Sequence, residues 1–407
     1  MLYRFFLCAA LVASCGAFVQ PFLLSPLGIS STSRSAISSR LRLPVPPRRS
    51  PSWRVQACAS RYDRWKDDAL HENEFNLKAV FPSAKRIIAV GDVHGGSKNL
   101  MECLRSAGVA DEDGNWCGGQ TVVVQVGDIL DRGTDEAGCI EVLCKLRTQS
   151  RDVGGNVIML LGNHEILNAD LDFRYAKSGQ FSEWKEDHGI ASKFVEVFRG
   201  KRASIFKRGQ GSMAMIMSSM PVVVQIGDTV FCHGGLTWAA IDHGFQALNR
   251  DTSAWLQGRL KEKPGILEPV VADQMEASPL WERTFGTDTI GSRALRRVDG
   301  MLRELGASNM VVGHTAQLQG VNGVETRAGR QVWRVDVGLS ERRGRIECLE
   351  VVQSEAGSTV RKAVIGQHGR VLDAGGRLQR HPGRGGGEEG LSSGPVLSTA
   401  PRQPCSA

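Results

Sequence analysis

The sequence predicts an α/β fold in which two mixed β-sheets form a sandwich flanked by helices, with a helical cap inserted. The main observation is a repeated pattern in which a short apolar run ends in glycine and a polar cluster. Its instances are RIIAVGDVHGG, TVVVQVGDILDRG, NVIMLLGNHE, VVVQIGDTVFCHGGL and NMVVGHT. Continuous apolar runs of this kind are typical of strands covered on both faces. Helical patterns separate the early runs but not the late ones, which favours mixed sheets with helices around them.

The segments between the early runs predict helices. GGSKNLMECLRSAGV (residues 95–109) and DEAGCIEVLCKLRTQS (135–150) carry apolar residues at helical spacing. Later in the chain, QVWRVDVGLS (331–340) and RIECLEVVQ (345–353) have no helix between them, and we expect a β-hairpin there. Residues 168–220 are polar, aromatic and charged. Because they lie between two core strands, they predict a helical cap that shapes substrate choice.

The N-terminus has the composition of a targeting segment. RFFLCAALVA (residues 4–13) and the small residues that follow predict a secretory signal peptide over residues 1–17. Residues 18–57 are rich in serine and arginine and contain no acid, which predicts a plastid transit peptide. The junction SCGAFVQP resembles that of the two-part presequences of algae with complex plastids. We therefore expect a plastid location, with plain secretion as the alternative.

The rest of the chain divides by composition. Residues 58–85 predict a polar linker, and residues 86–365 predict the folded domain, which includes the cap. Residues 366–407 are rich in glycine, proline, arginine and serine. Such a segment cannot bury enough apolar surface to fold, so we expect a disordered tail.

Charge and cysteine usage exclude several classes of protein. The formal net charge of +7 is matched by the seven arginines of residues 1–57, a stretch without acids, so the remainder is formally neutral. The sequence shows no basic stripe interleaved with aromatics, which argues against nucleic-acid binding. No apolar run reaches about 18 residues, so we expect no membrane span in the mature chain. The ten cysteines include no C-x-x-C pair, which argues against a zinc ribbon and favours buried apolar roles.

Polar side chains follow the predicted strands at the points where the strands end. They are Asp92, His94, Asp128, Asp131, Arg132, Asn163, His164, His233 and His314. Each cluster alone could be a turn or a salt bridge. Because loops at the carboxyl ends of strands meet in one crevice, we expect these groups to lie together. Carboxylates, imidazoles and an amide are ligands of transition metals, and the set predicts a pair of them acting on a phosphoryl group.

Three motifs carry a resemblance to a known family. GDVHG (91–95), GDILDRG (127–133) and GNHE (162–165) resemble the motifs of the phosphoprotein phosphatase branch of the calcineurin-like metallophosphoesterases. HGGL (233–236) and GHT (313–315) stand where that family supplies its remaining metal histidines, and the resemblance covers about residues 85–360. The Ser-Ala-Pro-Asn-Tyr stretch of the eukaryotic Ser/Thr phosphatases is absent, and RVDVGLS replaces it. GNHEILNADLDFRY and PLWERTF are instead similar to the Shewanella-like, bacterial-type phosphatases of plants and algae.

The resemblance implies a role for each matching residue. For the first metal it implies Asp92 and His94, for the bridge Asp128, and for the second metal Asn163, His233 and His314. The metals are expected to be Mn, Fe or Zn, in the divalent or trivalent state. The resemblance also implies His164 as the general acid, oriented by Asp131, and Arg132, Arg283 and Arg174 as phosphate-binding residues. Glu165 is expected to hold the loop.

The function implied is metal-dependent hydrolysis of a phosphomonoester. A hydroxide that bridges the two metals would attack phosphorus in line, without a phosphoenzyme. The substrate is expected to be a phosphorylated protein or a small phosphoester. A symmetrical dinucleoside-polyphosphate hydrolase is the alternative enzyme, and an inactive scaffold with this fold is the alternative of another class. The presence of the full ligand set argues against the scaffold, and the sequence predicts no oligomeric state.

Overall fold

The computed structural model describes residues 77–177, 202–269, 278–287, 289–340 and 345–353, together with the strands at 359–366, 371–372 and 378–379. In these residues two mixed sheets are flanked by helices, which confirms the predicted fold class. Side chains from both sheets join one hydrophobic cluster.

The first sheet has six strands. They are β1 (Val80–Phe81), β5 (Val223–Ile226), β6 (Thr229–Cys232), β7 (Asn309–Val312), β9 (Gln331–Arg334) and β8 (Asn322–Glu325), in spatial order. Within it β6, β7 and β9 run parallel to one another. β6 and β7 therefore end at the same edge of the sheet.

The second sheet has seven strands. They are β13 (Leu378–Gln379), β12 (Val371–Leu372), β11 (Thr359–Gly366), β10 (Glu347–Gln353), β2 (Arg86–Val90), β3 (Val122–Gln125) and β4 (Asn156–Met159), in spatial order. β2, β3 and β4 are parallel, and their carboxyl ends meet at one edge.

The α-helices of the described residues connect these strands. They are α1 (Ser97–Ser106), α2 (Glu136–Arg151), α3 (Asn163–Ala169), α4 (Ser212–Met217), α5 (Trp238–His243), α6 (Phe245–Leu256) and α7 (Ser292–Glu304). The two helices predicted between the early strands are α1 and α2. Helix α1 buries Leu100, Cys103 and Leu104, an i, i+3, i+4 stripe. Helix α2 begins after Asp135, whose carboxylate accepts a hydrogen bond from the backbone N–H of Gly138.

The predicted hairpin between residues 331–340 and 345–353 is wrong. Strand β9 pairs with β7 and β8 in the first sheet, whereas β10 pairs with β2 and β11 in the second. The chain between them crosses from one sheet to the other. The predicted start of the tail at residue 366 is also too early, because β12 and β13 extend the second sheet beyond it.

Several sequence predictions fall wholly or partly outside the described residues. They concern the two targeting segments, most of the linker, the middle of the cap at residues 178–201, and the tail from residue 380. In the described parts of the cap range, residues 202–206 are helical, and every residue of α4 is buried. Among the described residues no helix is long and apolar enough to cross a membrane. The free cysteines of these residues are buried, as predicted.

Candidate metal centre and active site

The predicted site lies at the ends of strands from both sheets. Asp92 follows β2, Asp128 follows β3, and Asn163 begins the helix after β4. From the first sheet, His233 comes directly after β6 and His314 follows β7. All five side chains are buried. The two sheets therefore meet at this edge and share one site, as expected for loops at the carboxyl ends of parallel strands.

The backbone of this site is held in a rarely used conformation. Among the described residues, the non-glycine residues with positive φ include five from the predicted site: His94 (44°), Asp128 (56°), Asp131 (67°), Arg132 (58°) and His314 (65°). This left-handed region is unfavourable for residues with a Cβ atom, and it persists where surrounding structure enforces it. The strain marks a site whose side-chain directions are fixed.

Hydrogen bonds to Glu165 hold part of this backbone in its conformation. Its carboxylate accepts hydrogen bonds from four backbone N–H groups: Gly162 (2.7 Å), Asp128 (2.9 Å), Ile129 (2.9 Å) and Leu130 (3.1 Å). Burial, and then the charge of Asp128, raise the pKa of Glu165 to about 7. Its carboxylate ties the loop after β3 to the start of α3, which is the loop-holding role expected of it.

The candidate first metal site contains His94, Asp128 and Asp92. Nδ1 of His94 lies 2.7 Å from the carbonyl oxygen of Leu130, and this leaves Nε2 facing Oδ2 of Asp128 at 3.7 Å. Burial lowers the pKa of His94 to about 4, which favours the neutral imidazole that a metal requires. The backbone N–H of His314 donates to Oδ1 of Asp92 at 3.1 Å and holds that carboxylate beside the cluster.

The candidate second metal site converges on His233. Its Nε2 lies 3.0 Å from Oδ1 of Asn163, 3.1 Å from Nδ1 of His314 and 3.3 Å from Oδ2 of Asp128. Its Nδ1 lies 2.9 Å from the carbonyl oxygen of Val126. Burial alone would lower the pKa of His233, but Asp128 outweighs burial and raises it. Burial lowers the pKa of His314 to about 2, so that ring is neutral.

These donors fit a pair of metal ions. Asp128 belongs to both groups of potential ligand atoms, and within each group the atoms lie within 4.8 Å of one another. Burial disfavours the charge of Asp128, yet the histidines around it hold its pKa well below the usual range. Lone pairs on two imidazoles, an amide oxygen and a buried carboxylate converge here. A bound cation would offset the repulsion between these lone pairs and the cost of burying the carboxylate charge. The structure brings together all six residues predicted as ligands.

His164 lies beside these metal ligands, and each of its ring nitrogens has a polar partner. Nδ1 lies 2.7 Å from Oδ2 of Asp131, and Nε2 lies 3.1 Å from Nη2 of Arg132. The ring of Tyr175 lies over it, with 5.1 Å between ring centroids. Nε2 is also 3.8 Å from Oδ2 of Asp128, so distance alone would admit His164 as a second imidazole on the first metal. A guanidinium at the same nitrogen argues against a cation there.

The structure places the three candidate phosphate-binding arginines differently. Arg132 touches His164, and Nη1 of Arg283 donates to the carbonyl oxygen of His314 at 3.2 Å. Both cations therefore border the cluster. Arg174 is not brought to it: its exposed guanidinium forms an ion pair with Asp172 at 2.7 Å. Arg174 and Asp172 are two residues apart on a turn, so their side chains pair with each other and not with groups of the site.

Sequence reasoning missed two buried charged residues at the site. Arg202 donates to Oδ1 of Asp131 at 3.0 Å. Asp336 lies beside Asp92, and burial, followed by the negative charge of Asp336, raises the pKa of Asp92 well above its usual range. Asp336 lies in RVDVGLS, the stretch that departs from the eukaryotic Ser/Thr phosphatases. That departure was the available signal for Asp336, whereas no motif surrounds Arg202.

The fold and the site together define a metallophosphoesterase. Comparison with known families agrees, because the model of the calcineurin-like phosphoesterases matches residues 85–318, more than half of the chain. The chain belongs to the calcineurin-like phosphoesterase family and is a hydrolase. Enzymes of this family use a dimetal centre, which agrees with the donor set described above.

Individual relatives fall within the same family. The chain is 31% identical to Shewanella-like protein phosphatase 2 of Arabidopsis thaliana in an alignment of 305 residues that covers 67% of this chain and 76% of that protein. It is 24% identical to Shewanella-like protein phosphatase 1 of Plasmodium berghei over 290 residues, covering 68% and 73% of the two chains. Among solved structures, the cold-active protein-tyrosine phosphatase of a psychrophilic Shewanella species has a TM-score of 0.58 at 24% identity, covering 73% of this chain and 82% of that one. This last likeness supports the fold.

Proposed function

We propose that this protein is a metal-dependent phosphoprotein phosphatase that hydrolyses phosphomonoesters. The observation that carries the proposal is the Asp128-centred donor cluster with His164 and Arg132 at its border. The names of the similar proteins, Shewanella-like protein phosphatases, support a phosphorylated protein as the substrate class.

Different side chains would hold the two metals. Asp92, His94 and Asp128 would hold the first metal, and Asp128, Asn163, His233 and His314 the second, with Mn, Fe or Zn as suitable ions. When bound, the two metals supply positive charge for the phosphoryl oxygens and lower the pKa of a water molecule that can then attack phosphorus in line.

His164 would protonate the leaving oxygen. Asp131 holds the Nδ1 side of the ring, so Nε2 is the nitrogen available to the substrate. As the bond from phosphorus to that oxygen breaks, the bonding electrons pass to the oxygen and it takes the proton from Nε2. Arg132 and Arg283 border the cluster, where guanidinium groups can pair with phosphoryl oxygens as charge develops.

Phosphate release tests the proposal. We would strip the protein of metal, restore Mn²⁺, and measure turnover of para-nitrophenyl phosphate, a phosphotyrosine peptide, a phosphothreonine peptide and diadenosine tetraphosphate. We expect Mn²⁺-dependent release from the peptides, which falls in the His164→Asn variant. Turnover of the dinucleotide alone would assign the protein to the dinucleoside-polyphosphate hydrolases. The absence of metal-dependent turnover on all four substrates would favour an inactive scaffold.

We infer a plastid location from residues 1–57. An apolar segment with a small-residue cleavage site precedes an acid-free stretch rich in arginine and serine, which suits signal and transit peptides in series. A fluorescent protein fused to residues 1–57 should reach the plastid of an alga with a complex plastid, and a fusion of residues 1–17 alone should be secreted. Secretion of both fusions would support the alternative.

A further inference from the structure

Both oxygens of the Asp131 carboxylate are occupied, each by a different partner. Oδ2 faces Nδ1 of His164 at 2.7 Å. Oδ1 accepts hydrogen bonds from Nη2 of Arg202 at 3.0 Å and from Nδ2 of Asn168 at 3.1 Å. Asp131 is fully buried. The direction of the carboxylate is therefore set from the side opposite His164.

Arg202 itself is fixed by several further hydrogen bonds. Nε donates to Oδ1 of Asn168 at 2.8 Å, and the two terminal nitrogens donate to the two oxygens of Glu136 at 2.6 and 3.0 Å. The Glu136 carboxylate also accepts the backbone N–H of Asp131 at 2.7 Å. A two-pronged arginine–carboxylate pair has a defined plane, and it places Nη2 against Asp131.

Two aromatic rings cover the Arg202 guanidinium. Its central carbon lies 4.9 Å from the ring centre of Phe206 and 5.5 Å from that of Phe173. Arg202 is only 4% exposed. Cation–π contacts favour the charged group at this place, and exclusion of water strengthens its pairing with the buried acids.

Arg202 also offsets the charge of the two buried acids that it contacts. It donates to Asp131 at 3.0 Å and to Glu136 at 2.6 Å. Without Arg202 these two carboxylates would lie buried without this cation, which is an unfavourable arrangement.

We propose that Arg202 is a positioning residue for the general acid. It holds Asp131 in the orientation that binds Nδ1–H of His164, so that Nε2 carries the proton toward the leaving oxygen. This inference rests on the proposed function, because it assumes that His164 is the acid. Arg202 acts on the His164 ring through Asp131.

The dependence of kcat on the basicity of the leaving group distinguishes a positioning role for Arg202 from a merely structural one. Phenyl phosphate leaves as a strongly basic phenolate and needs protonation, whereas 2,4-dinitrophenyl phosphate leaves as a weak base and needs little. We expect Arg202→Met to lower kcat on phenyl phosphate by about 100-fold, the lower end of the range for general acid catalysis, and on the dinitrophenyl ester by less than about 10-fold. Metal content should match that of the unaltered protein. Equal losses on both esters, or no loss, would overturn the proposal.

Two further arginine variants complete the comparison. Arg202→Lys keeps the charge but not the two-pronged pairing with Glu136. We therefore expect a smaller loss of kcat that is again selective for phenyl phosphate. If Arg202→Met does not fold, Arg202→Lys tests the proposal in its place. The matched control is Arg208→Met, because Arg208 also lies over an aromatic ring, that of Trp255, at 4.8 Å. Arg208→Met should leave both rates unchanged. A selective loss in Arg208→Met as well would overturn the proposal.

His164→Gln separates failure of this inference from failure of the proposed function. If His164 is the acid, this variant shows the selective loss on phenyl phosphate. A selective loss in His164→Gln without one in Arg202→Met would refute the role of Arg202 alone. The absence of a selective loss in His164→Gln would refute the general acid itself.

Discussion

Oδ2 of Asp128 lies 3.3 Å from Nε2 of His233, although the two residues belong to different sheets. Asp128 follows β3 of the second sheet and His233 follows β6 of the first. The site therefore exists only when both sheets have packed. Its central carboxylate is surrounded by histidines from three separate segments of the chain, with His94 at 3.7 Å and His164 at 3.8 Å.

Replacing this central carboxylate should abolish metal binding at both positions. In Asp128→Asn a neutral amide faces the imidazoles, and the charge shared between the two candidate sites is lost. We expect metal affinity to fall by more than about 100-fold, since loss of an outer partner alone costs 10- to 100-fold. Metal analysis after dialysis against a fixed Mn²⁺ concentration measures this. Retention of two metals per chain would show that Asp128 is not the bridge.

His164→Gln distinguishes a general acid from a metal ligand. If His164 is the acid, kcat falls by about 100- to 10,000-fold while metal content stays the same. If it is a second imidazole on the first metal, metal content falls with activity. We expect the first result, because Nη2 of Arg132 lies 3.1 Å from Nε2. Parallel measurement of metal content and turnover on one preparation decides between them.

The sequence predicted the donors of the site better than the residues that support them. The predicted ligands stand in short contiguous motifs at strand ends, so local pattern and the geometry of parallel strands suffice to bring them together. Arg202 reaches Asp131 across 71 positions of the chain and lies in no motif. Its role depends on tertiary packing, which a local pattern does not contain.

The wrong hairpin prediction and the position of Arg174 away from the donor cluster both depend on partners that a local pattern does not reveal. The segments that form β9 and β10 both read as strands, but strand character does not say which sheet a strand joins. Arg174 stands in a motif-like stretch, yet Asp172, two positions earlier, captures its guanidinium. In both cases a local competitor or a distant partner decided the outcome.

Asp336 should contribute to the first metal site. Its side chain is buried, accepts a hydrogen bond from the backbone N–H of Gly338 at 3.0 Å, and lies close enough to Asp92 for its charge to act on that carboxylate. Two buried carboxylates in contact favour a cation beside them. We expect Asp336→Asn to weaken Mn²⁺ binding by about 10- to 100-fold with the fold retained. The exposed acid Asp113 gives a control, and Asp113→Asn should bind Mn²⁺ normally; equal affinity in both variants would exclude Asp336 from the site.

Gly162→Ala should disturb the metal centre without removing a ligand. A Cβ atom at this position would overlap Oδ1 and the backbone nitrogen of Asp128. The carboxylate has to move, and displacements of about 1 Å at a catalytic site can cost about 100-fold in rate. We expect a loss of that order in kcat/KM. Gly265→Ala is the control, because a Cβ there meets nothing within 4 Å, and its activity should not change.

Arg132 should bind the phosphate of the substrate. In the structure Nη2 of Arg132 lies 3.1 Å from Nε2 of His164, at the border of the donor cluster. A guanidinium at this place can pair with the oxygens of an incoming phosphate. Its removal should therefore weaken phosphate binding without removing a metal ligand.

Calorimetry with inorganic phosphate measures this contact. We expect Arg132→Met to lower the phosphate affinity of the Mn²⁺-loaded protein by about 10- to 100-fold, the range for a hydrogen bond to a charged group. Metal content should match that of the unaltered protein. Unchanged phosphate affinity in Arg132→Met would show that Arg132 does not bind the phosphate.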